Sequence, residues 1–218
     1  MTQRSLIFAM LIGSIFALSL SAMARAGGRA GRFDYYVLAL SWSPGWCTLK
    51  GDARNAPECR AGAGRGFVLH GLWPEYAAGG WPEYCPTSLP PPAHRQAEGM
   101  ADIMPSAALA RYQWAKHGVC SGLPAPEYFA AARQAFERIK LPDALKPGQL
   151  PARMTVRGLK SAFLPANAGL TSRAIAVVCT RGILRELRIC LTRDLKPRAC
   201  GTGVRDNCGD SVTIPPRR

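Results

Sequence analysis

Apolar positions fall in short runs along residues 27–218, and the spacing inside each run predicts its element. Residues 33–40, Phe-Asp-Tyr-Tyr-Val-Leu-Ala-Leu, are rich in aromatic and aliphatic β-formers and predict a central strand. Phe67-Val68-Leu69 predicts a second, short buried strand with His70 at its end, Gly71 allowing a turn or close approach, and Trp73-Pro74 closing the segment. Residues 174–179 and 184–191 predict two strands joined at Thr180-Arg181-Gly182, a hairpin. Three helices are expected. The first covers residues 107–117, with Ser106 as N-cap and Gly118 as C-terminal stop. The second covers residues 126–140, where Tyr128, Phe129, Ala132, Phe136 and Ile139 share one side. The third runs from Thr155 to Phe163 and is weakened by Gly158. Helices and strands segregate rather than alternate, which indicates an α+β fold.

Between these runs lie a Gly-rich arm (27–32), a turn (41–47), a polar loop (50–66), a Pro-rich irregular loop (75–92) and a loop tail (196–218). Residues 1–26 read differently: Arg4, then an apolar stretch from Leu6 to Leu20, then two A-x-A sites ending at Ala24 and Ala26. That is a signal peptide, leaving one domain over residues 27–218. The competing reading, an uncleaved membrane anchor, has an apolar run at the short end for a span. Loss of residues 1–26 removes Arg4 and Arg25, so the net charge falls by two, from +14 to +12. A chain this basic favours an anionic partner such as nucleic acid, an acidic polymer or a membrane surface, although arginine-rich composition alone produces a high pI.

Eight cysteines in an exported chain read as four disulfides, with on the order of a hundred possible pairings. Nested spacing near the C-terminus suggests Cys190–Cys200 inside Cys179–Cys208. No C-x-x-C or H-x-x-x-H pair is present to favour zinc, so no metal and no cofactor is expected.

The candidate chemistry lies in two stretches. The first is residues 67–74, Phe-Val-Leu-His-Gly-Leu-Trp-Pro; the second is residues 112–120, Tyr-Gln-Trp-Ala-Lys-His-Gly-Val-Cys. On a helix, Gln113, Lys116 and His117 stand at i, i+3 and i+4, and Tyr112 lies one turn before Lys116. An amide, a cation and an imidazole on one face suit a phosphate, and His70 would add a second imidazole. Taken separately, each stretch has an ordinary explanation, a packed core histidine and a solvated helix face.

Together the stretches resemble the paired motifs of the ribonuclease T2 family: the first matches F-x-L-H-G-L-W-P in full, the second a tolerant form of H-E-W-x-K-H-G-x-C. The likeness runs from Phe33 to Cys208 and includes residues 36–44 and 188–195. It implies a disulfide-linked α+β fold with helices around a central antiparallel sheet. It also implies metal-independent cleavage of single-stranded RNA through a 2′,3′-cyclic phosphate, His117 being base and His70 acid, with Lys116 stabilising the phosphoryl charge and Gln113 completing the catalytic set. Trp73 and Glu75 occupy the positions that hold a base, and Tyr76 and Tyr112 are further expected substrate contacts. Trp81 and Tyr84 serve either base stacking, worth about 1–3 kcal/mol per base, or loop packing. The resemblance supports the nested disulfides and implies Cys85–Cys120, leaving Cys47–Cys59.

Two positions depart from the family pattern: Tyr112 stands for its His and Gln113 for its Glu, which bears on rate and pH optimum. His94, the remaining histidine, lies in the Pro-rich region and reads as a surface residue. The expected protein is an exported monomer, periplasmic or extracellular, acting on RNA without stable membrane association. The alternatives are an inactive RNA- or nucleotide-binding member of the same fold, and a cationic exported protein acting by charge.

Overall fold

A computed structural model describes residues 28–146 and 152–217; the expected signal peptide lies outside the described residues. Strand β1 (Tyr35–Trp42) is the axis of the fold. It pairs antiparallel with β2 (Phe67–Glu75) on one side and with β5 (Ile183–Leu191) on the other. Strand β4 (Ile175–Thr180) pairs with β5 as the hairpin, turning at Arg181 and Gly182, both at positive φ as a tight primed turn requires. Two strands of three residues, β3 (Arg153–Thr155) and β6 (Ser211–Thr213), pair with each other and join β5 through Ile183 and Thr213. They lie where the sequence reads a helix cap and a loop tail, because three-residue strands carry no detectable alternation.

Alternation along β1 separates two cores. Tyr36, Leu38, Leu40 and Trp42 face the larger one, and Tyr35, Val37 and Ala39 face a smaller one with Trp73, Ala176, Cys190 and Val204. The helices α1 (Ser43–Trp46), α2 (His94–Glu98), α3 (Ala107–Lys116), α4 (Ala125–Arg138) and α5 (Val156–Phe163) surround the sheet. The Ser106 hydroxyl accepts from the Leu109 amide at the start of α3, and Thr155 does the same for Gly158 at the start of α5. α4 buries Tyr128, Phe129, Ala132 and Ala135, and the Tyr128 hydroxyl donates to the Leu72 carbonyl at 2.9 Å, locking α4 to β2. α1 and α2 correct the sequence reading, which had a turn and a loop there.

β2 also differs from expectation. It does not end at His70 but continues through Trp73 and Pro74 to Glu75. Proline is tolerated because β2 is the outer strand of the sheet, where a missing N–H leaves no ladder bond unmade.

The disulfides are Cys47–Cys59, Cys85–Cys120, Cys179–Cys208 and Cys190–Cys200. Cys85–Cys120 and the bond from the Tyr84 amide to the Lys116 carbonyl, 2.8 Å, fasten the Pro-rich loop to the end of α3. Among the described residues, no helix is long and apolar enough to cross a membrane.

Candidate active site

Two interruptions of strand alternation build the site. On β2, Leu69 pairs with Leu40 and Gly71 with Ala39, so His70 is an extra residue without a partner in that ladder. On β5, Leu184 pairs with Cys179 and Glu186 with Val178, so Arg185 is likewise extra. In both strands the flanking leucines point into the larger core: Leu69 and Leu72, Leu184 and Leu187. The two residues between them are thereby thrown to the opposite face. A β-bulge re-aims a side chain in this way.

His70 therefore reaches over β1 to β5, where its Nδ1 meets Glu186 Oε2 at 2.6 Å. Glu186 is fully buried, and its other oxygen accepts from Arg188 Nε at 2.8 Å. Burial pushes the Glu186 carboxyl up, but the hydrogen bond and charge of His70, then Arg188, outweigh it and hold it at about 2. Glu186 is thus a carboxylate locked between an imidazole and a guanidinium.

α3 approaches from the other side. Gln113 is 2% exposed, and its Oε1 accepts from Trp73 Nε1 at 2.7 Å. This contact explains Gly71: a Cβ there would lie 2.4 Å from both of those atoms. His117 caps α3, and its ring stacks on Trp73 with centroids 5.2 Å apart. Its Nδ1 is buried with no hydrogen-bond partner among the described residues. Protonation would strand a charged donor there, and burial, then the Lys116 charge, lower the His117 pKa to about 3. His70 packs edge-on against the same indole at 5.1 Å, and the Arg188 guanidinium lies 5.2 Å from its centroid.

The structure thus brings His70, Gln113, Lys116 and His117 around one cavity of about 260 Å³, together with Trp73, Glu75 and Tyr112. Trp73 is a buried wall between imidazoles rather than an open plate, while Trp81 is half exposed at the rim. Glu75 is buried, and burial pushes its carboxyl up to about 7 against the pull of Arg188. Lys116 Nζ pairs with Glu83 at 3.3 Å, and Glu83 also accepts from Trp81 Nε1. Tyr76 does not line the cavity; it packs against the larger core. His94 is exposed at the start of α2, paired with Glu98. Sequence reasoning missed Glu83, Arg185, Glu186 and Arg188. The signal for the β5 set was present: Leu184-Arg-Glu-Leu187 repeats the spacing of Leu69-His-Gly-Leu72, and leucines three apart inside a strand mark a bulge.

A second cavity, of about 530 Å³, lies beyond His70, walled by Trp46, Leu49, Pro57 and Leu109. His70 and Arg185 are the two residues that line both cavities.

Two paired histidine-bearing stretches thus meet over a bulged antiparallel sheet in a disulfide-linked α+β fold. The model of the ribonuclease T2 family matches residues 33–200, and the chain belongs to that family. A ribonuclease of Aeromonas hydrophila is 36% identical over 191 residues, covering 84% of this chain and 83% of that protein. Ribonuclease I of Escherichia coli is 28% identical, covering 81% of each. Among solved structures, the RNase-related protein from Calystegia sepium superposes with a TM-score of 0.66 at 24% identity, covering 84% of this chain and 97% of that one, a likeness of fold. The protein is an endoribonuclease, and RNA is its substrate.

Proposed function

We propose that cleavage runs by a two-histidine mechanism in which His117 is the first base and His70 the first acid. The observation that carries this is the contrast between the two imidazoles on Trp73. His117 is held uncharged by burial and by Lys116, the protonation state a base requires. His70 has a buried carboxylate at 2.6 Å on Nδ1, which commits that nitrogen and leaves Nε2 for the cleft.

His117 takes the proton of the ribose 2′-OH, and the oxygen attacks the adjacent phosphorus. His70 gives its proton to the departing 5′-oxygen. The products are a 2′,3′-cyclic phosphate and a free 5′-OH; water then opens the cyclic phosphate with the two histidines exchanging roles. Lys116 offsets charge on the phosphoryl oxygens once the phosphate displaces its Glu83 contact. The half-exposed indole of Trp81 offers a stacking face that every base can use, which supports low base specificity. Residues 1–26 and the four disulfides support export to the periplasm or medium with a cleaved signal peptide; the exported protein acts as a monomer without stable membrane association.

The test is digestion of an RNA dinucleotide in excess EDTA with product analysis. The expected result is undiminished cleavage to a 2′,3′-cyclic phosphate and a 5′-OH, with the matching DNA left intact. A 5′-phosphate product, cut DNA or dependence on metal would refute the mechanism. An inert protein that still binds RNA would instead indicate a binding member of the fold.

A further inference from the structure

We propose that Arg185 is a catalytic residue, binding the scissile phosphate from the side of the cleft opposite Lys116. The inference rests on the two-histidine reading and adds a residue that the paired motifs do not contain. Four observations carry it.

First, Arg185 and His70 alone are shared by the two cavities. A dinucleotide with one nucleoside in each cavity has its phosphodiester at their junction, so the junction residues face the phosphorus. His70 is the group proposed to protonate the leaving oxygen there.

Second, both junction residues are placed by the same device. Each is the extra residue of a bulge, on the two strands flanking β1, two strand spacings (roughly 10 Å) apart sideways and offset along β1, His70 beside Ala39 and Leu40 and Arg185 one residue beyond the Ser41–Glu186 pair. Regular alternation from Leu184 would send Arg185 to the cleft and Glu186 to the core. The bulge sends both to the cleft, so Glu186 can hold His70 while Arg185 remains available.

Third, the other cations of the smaller cavity are engaged, while Lys50 and Arg54 line the larger one. Arg188 is held by Glu186 and lies over Trp73, and Lys116 is paired with Glu83. Arg185 has no hydrogen-bond, ion-pair or ring partner among the described residues, although it is partly buried. A guanidinium presents paired donors that match a phosphate's two non-bridging oxygens.

Fourth, Tyr112 stands where the family pattern has a histidine and can hydrogen-bond a phosphate but carries no positive charge. Arg185 supplies positive charge to the same phosphate from β5.

The experiment compares wild type, Arg185→Ala, Arg185→Gln and Arg185→Lys on two substrates: a dinucleoside monophosphate and a nucleoside 2′,3′-cyclic phosphate. Each substrate has the reacting phosphorus, but the cyclic one has no second nucleoside. The expected result is a loss of at least about tenfold in kcat/KM for Arg185→Ala on both substrates, with Arg185→Lys retaining more activity than Arg185→Ala. Arg185→Gln keeps a long polar stem and covers the case in which alanine upsets the bulge; it should lose as much as alanine. Unchanged rates on both substrates would make Arg185 a solvated surface cation and overturn the proposal. A loss confined to the dinucleotide would also overturn it, placing Arg185 on the leaving nucleoside instead. Wild type inert on both substrates would sink the two-histidine reading itself, and this inference with it.

Discussion

The indole of Trp73 lies against the imidazole of His117, with centroids 5.2 Å apart and planes 29° apart. Trp73 is therefore part of what keeps water from His117. Trp73→Ala should admit water, and the His117 pKa should rise from about 3 toward the ordinary 6.5. A base must be unprotonated, so the acid limb of kcat/KM should move to higher pH. A pH–rate profile on one dinucleotide reads this directly. An acid limb unmoved by the loss of the indole would mean that other groups desolvate His117.

His70→Ala and His117→Ala should each lower kcat at least about 100-fold, the scale of a positioned acid or base. The double variant should lose far less than the product of the two, since the pair acts as a unit. Single-turnover rates settle the matter: near-normal turnover in either single variant would remove the mechanism.

Gln113→Glu should also move the acid limb upward. The new carboxylate would sit against Trp73 Nε1, on the helical turn that ends at His117, and a negative charge there favours the imidazolium. The expected shift is on the order of one unit or less, because the Gln113 side chain is bonded to the indole that stacks on His117 rather than to the imidazole itself. A limb that stays put or falls would make Gln113 a brace for Trp73 and nothing more.

Glu75 makes stability depend on pH. Its carboxyl titrates at about 7 in the folded protein against the ordinary 4.5 of a glutamate in water, so folding favours the protonated form. Its contribution is fully present below about pH 4.5 and is lost as pH rises through 7. Glu75→Gln, which stays neutral, should be more stable than wild type at pH 8, by on the order of 3 kcal/mol and with a higher Tm, and should differ little at pH 4. Thermal melts at the two pH values provide the check. Equal differences at both would show that Glu75 does not titrate as its burial implies.

Glu186→Gln should slow turnover, since the carboxylate that fixes the His70 ring through Nδ1 is gone. Full activity on one dinucleotide would show that His70 needs no such partner.

Much of this arrangement was legible in the chain. Compositional runs located β1 and the hairpin, and capping residues located α3 and α5, because those signals are local. The i, i+3, i+4 spacing brought Gln113, Lys116 and His117 to one cavity. The rest depended on register. Nothing local says that β2 continues through Pro74, since that requires its outer place in the sheet. Arg185, Glu186 and Arg188 looked like polar positions of an ordinary strand, and their arrival beside His70 depends on where β5 pairs with β1. Glu83 reaches Lys116 only because Cys85–Cys120 ties its loop to α3, a long-range constraint. Tyr76 illustrates the converse: an aromatic close to the motif in sequence, yet turned into the core.

The two bulges separate scaffold from chemistry. Without His70, the run Leu69-Gly71-Leu72 alternates without fault; without Arg185, so does Leu184-Glu186-Leu187. Two of the groups that line the cleft are thus single-residue insertions in an otherwise regular ladder. Omitting one residue from either strand restores an uninterrupted sheet and erases a cleft group while sparing both leucine contacts. Such a fold can lose a cleft group in one short deletion and keep its ladder, and it can acquire one by an equally short insertion.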